Sequence, residues 1–335
     1  MPSASATADL SPASLIVPLP QAVCATRFGG KAANLAWLHE RGLAIPYGWA
    51  IDAAWLREHL AGAPGRRLFA RVDEALRSRA DDAALATAGT ELARFIFAQP
   101  LAAELEASLH VLLEGAPRRR WVVRSSAIGE DSAQASFAGQ LDSVLHCRTP
   151  GDVATALRQV WASAWSAHCL AYQKHSGQRL AGVGVVLCEQ VEARHAGVLF
   201  TDMTTGEGDQ ALRIEYTGGL ADRLVAGEVT PAGAWLGRLD LQVREHLTDA
   251  LRSDAPPMNE AVLATLARDA LELERAWGAP LDIEWCAPDD SPASLVFVQA
   301  RPITARSDRR VEVWSNANIA ENFPDPVCPL VDSFV

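Results

Sequence analysis

The sequence predicts an α+β fold, and three observations support this class. Helical and β-prone segments are interleaved along the chain, and the β-prone segments form hairpins instead of following a strict strand, helix, strand order. A length of 335 residues predicts about two domains, or one domain of two lobes, and is sufficient for a sizeable core. Apolar residues make up 49 % of the sequence and charged residues 21 %, as is typical of globular proteins.

Helical spacing of apolar residues appears in four parts of the chain. The first predicted helix starts at two glycines and runs from Gly29 to Gly42. Residues 53–114 predict two or three amphipathic helices, and residues 152–172 predict one long buried helix. A last helix is predicted over residues 258–277, where a glycine follows it.

Short β-prone runs bounded by small and turn-forming residues predict the strands. Residues 121–147 read as a strand, a loop of small polar residues and a second strand. Residues 182–191 and 197–201 resemble the two strands of a hairpin. The other predicted strands are residues 211–216, 281–285 and 295–299.

Charge and cysteine content limit the classes of partner. The chain carries 30 basic and 41 acidic residues, and this net charge of −11 repels nucleic acid and anionic lipid. We therefore expect no nucleic-acid or membrane partner. Residues 1–14 predict a disordered leader without signal-peptide features, and six scattered cysteines without a CxxC motif indicate reduced thiols. These features favour a cytoplasmic protein.

The two last predicted strands place polar side chains on a shared face. A period of two puts Asp282 and Glu284 on one side of the first strand, and Gln299 and Arg301 on one side of the second. The segment between them is polar and turn-rich, so the strands are expected to pair as a hairpin. Carboxylate and amide oxygens suit Mg²⁺, and a guanidinium suits phosphate oxygens. The patch is either such a site or a solvent-facing sheet edge with an ordinary ion pair.

Three further segments have both a functional and an ordinary interpretation. The small residues between Arg124 and Leu141 suit either an anion-binding loop or a long hairpin loop. Lys31, at a helix start, is either an anion-binding group or a solvated surface lysine. The segment that begins with Gly218 and Gly219 is either a flexible binding loop or a surface turn.

In this order, the motifs resemble a known family: the N-terminal ATP-grasp domain shared by phosphoenolpyruvate synthase, pyruvate phosphate dikinase and rifampicin phosphotransferase. The resemblance covers residues 15 to about 305. It is carried by GGKAANLAWLHERGLAIPYGWAI (29–51), WVVRSSAIGEDSAQASFAGQLDSVL (121–145), AGVLFTDMTTGEG (196–208), GGLADRLVAGEVTP (218–231), and LDIEW with VQARPIT (281–285 and 298–304). The resemblance implies an ATP-grasp domain over residues 15–307, in which two lobes, divided near residues 180–195, hold the nucleotide between them.

The resemblance also implies how the phosphates of ATP are held. Lys31, Arg124 and Arg301 match the family's triphosphate-binding cations, and we expect them to be catalytic as well as nucleotide-binding. Gly139 and Ser143 match its phosphate-loop and nucleotide contacts. Positioning and electrostatic stabilisation carry most of the catalysis in phosphoryl transfer, so these cations are the expected centre of the chemistry.

Metal binding is implied at the last two strands. Glu284 and Gln299 match the family's Mg²⁺-binding pair, and Asp282 lies beside them as a further expected metal ligand. ATP and Mg²⁺ are therefore the expected substrate and cofactor.

The sequence departs from the family pattern in three places. Cys188, which we count among the nucleotide-binding positions, stands where the family has a glutamine near the adenine. Residues 219–222 read GLAD instead of GLGE. None of the eight histidines lies in the GGxxxH-type context of a phosphohistidine domain, and His146 and His195 are interpreted as structural.

Residues 308–335 resemble the segment that leads into the next domain, so we expect a linker there. The resemblance implies the Mg·ATP-binding part of a dikinase-type phosphotransferase that converts ATP to AMP and phosphate. A histidine on a separate swivelling domain or subunit would pass the phosphoryl group to an acceptor such as pyruvate, an antibiotic or a biosynthetic intermediate. An ADP-forming ATP-grasp ligase and a degenerate nucleotide-binding regulatory module are the alternatives.

Overall fold

The architecture combines helices with two β-sheets. The computed structural model describes residues 15–78, 80–116, 119–129, 141–204, 210–220, 224, 229–246 and 255–303. The expected leader (1–14), the expected linker (308–335), Gly139 and most of the small-residue loop lie outside the described residues. Within the described part, the strands form two antiparallel sheets, which confirms the α+β class.

In the described part of the chain, all α-helices before residue 177 lie between the first and the last strand of the first sheet in chain order. In chain order the α-helices are α1 (Ala25–Phe28), α2 (Gly30–Glu40), α3 (Ala54–His59), α4 (Ala63–Arg77), α5 (Asp82–Ala98), α6 (Ala103–Glu114), α7 (Pro150–Ser163), α8 (Ala167–Ser176) and α9 (Glu260–Trp277). Short 3₁₀ turns comprise Leu19–Gln21 and Pro292–Ser294.

The described strands form one sheet of five strands and one sheet of six strands. The first sheet has the order β1-β2-β5-β3-β4. It contains β1 (Ile16–Pro18), β2 (Gly48–Ile51), β3 (Trp121–Ala127), β4 (Ser143–Cys147) and β5 (Val183–Glu189). The second sheet has the order β11-β10-β6-β7-β8-β9. It contains β6 (His195–Thr204), β7 (Gln210–Gly218), β8 (Ala232–Gly237), β9 (Val243–His246), β10 (Leu281–Ala287) and β11 (Val296–Pro302).

Two helical expectations need correction. The described part of residues 53–114 holds four helices instead of two or three, and one of the breaks lies at Asp81, whose side chain accepts a hydrogen bond from Ala84 N and caps α5. The long helix expected over residues 152–172 is two helices. Ser166 caps the second one by accepting a hydrogen bond from Cys169 N, so the chain turns between α7 and α8.

The prediction of a hairpin over residues 182–201 is wrong. β5 lies between β2 and β3 in the first sheet, whereas β6 lies between β10 and β7 in the second sheet. The connection bonds to both sheets, because Gln190 N donates to Arg120 O near the start of β3 and Arg194 N donates to Ala287 O at the end of β10. A short polar connection between two β-prone runs is compatible with a hairpin and also with a change of sheet. Only the long-range pairing of each strand distinguishes the two arrangements.

Strand β5 shows how the molecule builds two cores. Val183, Val185 and Leu187 belong to a core packed under helices α3 to α8. Val186 and Cys188 alternate with them and face a second core, formed with α2, α9 and the second sheet. Both sides of β5 are therefore buried, which explains its nearly continuous apolar sequence.

Helix α2 lies between the two sheets and contacts both β3 and β11. Gly29, which precedes it, has φ +83°, and a Cβ atom there would lie 1.9 Å from the carbonyl oxygen of Ser126. The Ser126 hydroxyl accepts a hydrogen bond from Ala32 N at 3.0 Å. The glycine therefore allows the first turn of α2 to approach the end of β3.

Among the described residues, no single helix is both long and apolar enough to cross a membrane. One bent pair, α5 with α6, passes the same test by length and composition. Leu85, Leu92 and Ile96 of α5 and Leu105 and Leu109 of α6 are buried in the helical core.

Replacement of Gly29 by alanine is expected to lower the free energy of unfolding by about 3 kcal/mol or more. Gly42→Ala is the matched control, because Gly42 has a similar φ of +79°, but a Cβ atom at this position would meet no heavy atom of a non-adjacent residue within 4 Å. The control therefore carries only the backbone cost of about 1–2 kcal/mol. Urea unfolding measures both values, and equal losses would contradict the close approach of Gly29 to Ser126.

Candidate nucleotide site

The guanidinium of Arg124 reaches from the first sheet to the second. Arg124 lies on β3, opposite Val186 of β5. Its Nη1 donates to the carbonyl oxygen of Val298 at 2.9 Å. Its Nη2 donates to Glu284 Oε2 at 2.7 Å and to Gln299 Oε1 at 3.1 Å. Two oxygens that were predicted to lie on one face therefore converge on a single positively charged group.

The hairpin predicted for the last two strands is confirmed. In the register of β10 and β11, Glu284 pairs with Gln299 and Asp282 pairs with Arg301. The register shifts next to Glu284, because Trp285 pairs with Phe297 and leaves Val298 as an extra residue in β11. Val298 is therefore the bulged residue, and its carbonyl oxygen accepts the hydrogen bond from Arg124.

Arg301 forms the second ion pair of the site. Its Nε and Nη2 both donate to Asp282 Oδ2, at 2.9 and 2.6 Å. The Arg301 and Asp282 side chains are 24 % and 13 % exposed, and those of Arg124 and Glu284 are 16 % and 21 % exposed. These are partly buried ion pairs with access to solvent, and they involve the edge strand β11 and its neighbour β10.

The two carboxyl groups have pKa values shifted in opposite directions. Burial by itself raises the pKa of Glu284, but Arg124, together with Arg301 and Lys31, outweighs burial and holds it below the ordinary value. Burial raises the pKa of Asp282, and the charge of Glu284 adds to this, although Arg301 opposes it. The environment therefore favours the charged form of Glu284 and opposes that of Asp282.

Lys31 lies in the first turn of α2, where its charge acts on Glu284. The structure therefore brings Lys31, Arg124 and Arg301 into one electrostatic environment with two carboxylates. A lysine in the first turn opposes the helix dipole, so its position is unfavourable for the helix alone. Three cations and two carboxylates thus share this part of the molecule.

The other predicted residues have different relations to this cluster. Ser143 is exposed and lies opposite Arg124 in the pairing of β3 with β4. Cys188 is buried on β5, opposite Val122 and Gly48. Burial raises the pKa of the Cys188 thiol to about 11, against the opposing charge of Arg124, so this position presents a neutral thiol.

The two histidines that sequence analysis set aside lie in different environments. His195 is fully buried, and its Nε2 lies 3.0 Å from the carbonyl oxygen of Pro256. His146 is exposed and has a φ of +63°, and its backbone N donates to Gln190 Oε1.

Sequence reasoning missed three groups that position the cluster. The Ser126 hydroxyl holds the first turn of α2, and Asn34 Nδ2 donates to the carbonyl oxygen of Ala300 at 3.0 Å, which ties α2 to β11. The third group is the Val298 carbonyl. Asn34 follows Lys31 by three residues and Ser126 follows Arg124 by two. Their closeness to Lys31 and Arg124 in the sequence is a weak indication that Asn34 and Ser126 belong to the site. The role of the Val298 carbonyl cannot be inferred from sequence, because every residue has a carbonyl group.

The opposite pKa shifts predict opposite effects of pH on stability. The stabilisation that Glu284 contributes to the folded state is present above its ordinary pKa of 4.5. It is lost as the pH falls through the lower pKa that Glu284 has in the folded protein. The contribution of Asp282 is fully present below its ordinary pKa of 3.8 and is lost as the pH rises through its higher folded pKa. Glu284→Gln should therefore make the loss of stability on acidification shallower, and Asp282→Asn should make it steeper.

Urea unfolding of both variants and the parent chain, at a series of pH values from about 3 to 6, measures these slopes. Each variant serves as the control for the other, because both remove one carboxylate from an arginine pair. A change of slope in the same direction in both variants would contradict the assigned shifts.

Known proteins resemble the chain over most of its length. The family described as pyruvate phosphate dikinase, AMP/ATP-binding domain matches residues 25–319. The prodigiosin synthesizing transferase PigC of Serratia marcescens is 32 % identical over 312 residues, which cover 87 % of this chain and 33 % of that protein. Rifampicin phosphotransferase of Streptomyces sviceus is 28 % identical over 331 residues, which cover 90 % of this chain and 38 % of that protein.

Phosphoenolpyruvate synthase of Escherichia coli is also similar, with 28 % identity over 328 residues that cover 85 % of this chain and 41 % of that enzyme. The chain thus spans well under half the length of these relatives. The family match covers the whole cluster, from Lys31 through Arg124 to Arg301. This chain therefore belongs to the pyruvate phosphate dikinase AMP/ATP-binding domain family.

Proposed function

We propose that this chain binds Mg·ATP in an ATP-grasp arrangement and supplies the nucleotide half of a dikinase-type phosphotransfer. The observation that carries the proposal is the convergence of Arg124 on Glu284 and Gln299 across two sheets. Arg301 and Lys31 surround the same point with further positive charge. A triphosphate needs several cations that are already oriented, and guanidinium forks match phosphate oxygens.

The ion pairs of the cluster orient the cations for this role. Asp282 fixes the guanidinium of Arg301, and Glu284 fixes that of Arg124. Phosphate oxygens would compete for the same donors and would meet arginines whose conformations are already restricted. Pre-orientation lowers the entropic cost of binding and keeps the positive charge next to the transferring phosphoryl group.

The residues present fit a magnesium ion. Glu284 Oε2 and Gln299 Oε1 already converge on one positively charged nitrogen, and oxygen donors are the ligands that Mg²⁺ prefers. Within the described residues, no group of three or more His, Cys, Asp or Glu side chains could hold a metal ion. Mg²⁺ bound to a nucleotide needs only one or two protein carboxylates, together with phosphates and water. Glu284 and Gln299 would hold it, with Asp282 as the neighbouring carboxylate, and the ion would neutralise charge on the phosphates.

The proposed domain spans residues 15–307, with two lobes that meet near residues 180–195. The end of β5 in one sheet and the start of β6 in the other support this boundary. The proposed leader over residues 1–14 and linker over residues 308–335 belong to the same organisation. The buried Cys188 and Cys286 are free thiols, which supports a reducing compartment such as the cytoplasm.

In the proposed reaction, the β-phosphoryl group of ATP passes through a histidine to an acceptor, water takes the γ-phosphoryl group to give phosphate, and AMP is released. The histidine would lie on a swivelling domain of the same longer chain or on a separate subunit, and a further domain would bind the acceptor. The phosphotransferase and synthase names of the similar proteins support this route. Pyruvate, an antibiotic and a biosynthetic intermediate remain the candidate acceptor classes.

Arg301→Gln and Arg124→Gln are each expected to weaken Mg·ATP binding by about tenfold to a hundredfold. A hydrogen bond to a charged group contributes about 1.5–3 kcal/mol, and about 1.4 kcal/mol corresponds to a factor of ten. Arg238→Gln is the matched control, because Arg238 is also partly buried and pairs with a glutamate, Glu274, outside the cluster. Calorimetric titration with ATP, with and without Mg²⁺, measures the affinities. Equal losses in all three variants would contradict the site.

Glu284→Gln is expected to abolish phosphoryl transfer while ATP binding without Mg²⁺ changes much less, because the substitution removes a metal ligand and keeps the shape. Glu274→Gln is the control. Turnover is measured by chromatography of the nucleotides in the full-length protein, or with the histidine-bearing component added. AMP with phosphate is the expected product pair. ADP would indicate an ATP-grasp ligase, and nucleotide binding without turnover would indicate a regulatory module.

A further inference from the structure

A cavity of about 560 Å³ lies on the helical side of the first sheet, between α3, α4 and the start of β5. It is separate from the Arg124 cluster. Val183 lines the cavity and points into the core under the helices, whereas Val186 and the paired Arg124 face the second sheet. The two sites therefore lie on opposite faces of one sheet.

The walls of this cavity are apolar. Leu56, Leu60 and Trp165 are buried members of the helical core and line it. Phe69 packs edge to face against Trp165 with ring centroids 5.4 Å apart, yet 41 % of Phe69 is exposed. The volume lies within the roughly 300–1,000 Å³ of pockets that hold small organic ligands. An exposed phenylalanine at such a cavity suits the hydrocarbon part of a ligand.

The charged groups of the lining all have one sign. Arg57 and Arg66 line the cavity, and none of its described lining residues is acidic. In the described part of the chain, neither guanidinium forms an ion pair with a carboxylate, and Arg66 donates only to the carbonyl oxygen of Ala61. Both arginines are exposed to solvent, and their charges lie beside the apolar wall of the cavity. Their charge is complementary to an anionic head group beside an apolar body.

We propose that this cavity binds an amphipathic organic anion, a molecule with one carboxylate and an aliphatic or aromatic body. The body would lie against Leu56, Phe69 and Trp165, and the carboxylate would meet Arg57 and Arg66. Arginine binds carboxylates through paired N–H groups, so the head would be held with a defined orientation. This site is independent of the proposed nucleotide site, because it shares no residue with it.

The test uses decanoate as the probe and decan-1-ol, which has the same chain length but no charge, as the matched ligand. Calorimetric titration of the purified chain is expected to show one decanoate bound per chain, with at least tenfold weaker binding of decanol. No decanoate binding to a folded chain, or equal affinity for both probes, would overturn the proposal. This comparison needs no variant.

Variants then locate the site. Arg57→Gln with Arg66→Gln is expected to weaken decanoate binding about tenfold or more and to leave decanol binding unchanged, as expected for loss of charge-assisted hydrogen bonds. Arg67→Gln, at the exposed neighbouring position outside the lining, should change neither. Ala61→Trp, which introduces a large ring at an exposed lining position, should abolish binding of both probes.

Decanoate binding that persists unchanged in Ala61→Trp and in the double arginine variant would place the probe elsewhere and overturn the proposal. Circular dichroism establishes that each variant is folded. Mg·ATP titration of the same samples separates this proposal from the proposed function, since the two binding activities are expected to be lost independently.

Discussion

The ion pair between Arg124 and Glu284 joins the two sheets. One guanidinium bonds to a carboxylate, an amide oxygen and a backbone carbonyl, all on the hairpin of the second sheet. Charges withdrawn from solvent need a partner and hydrogen bonds, so loss of either partner of this partly buried pair is expected to destabilise the fold. The relative position of the sheets at this point therefore depends on the same groups that we propose to bind Mg·ATP.

Helix α2 provides the second connection between the sheets. Ser126 binds its first turn from β3, and Asn34 binds β11 from its next turn. Gly29 permits the approach, because any side chain there would overlap the backbone of Ser126. Lys31 is thereby held in the field of Glu284, between two elements that come from distant parts of the chain. The position of Lys31 depends on the packing of α2 against both β3 and β11. The sequence around Lys31 does not contain this information, so a lysine at a helix start was an ambiguous signal.

The parts of the site that could be predicted from sequence are local. The β10–β11 hairpin follows from two alternating runs and a polar turn, and with it come the pairings of Asp282 with Arg301 and of Glu284 with Gln299. The same reasoning was wrong for β5 and β6, whose sequences are equally compatible with a hairpin but which pair with strands of different sheets. It was also wrong for the long helix, where Ser166 begins a new helix within a continuous apolar pattern. The first error concerns long-range strand pairing, and the second concerns a local N-cap within an apolar pattern.

By itself, the sequence determined the α+β class, the elements with strong periodicity, and the identity of the charged groups in the ordered motifs. It could not decide that Arg124 contacts Glu284, because 160 positions separate them and side-chain periodicity extends over only a few residues. Nor could it decide that the pKa of Glu284 falls while that of Asp282, two residues away, rises. Burial and Coulomb interactions act through space, so only the tertiary structure sets their balance at each carboxyl group.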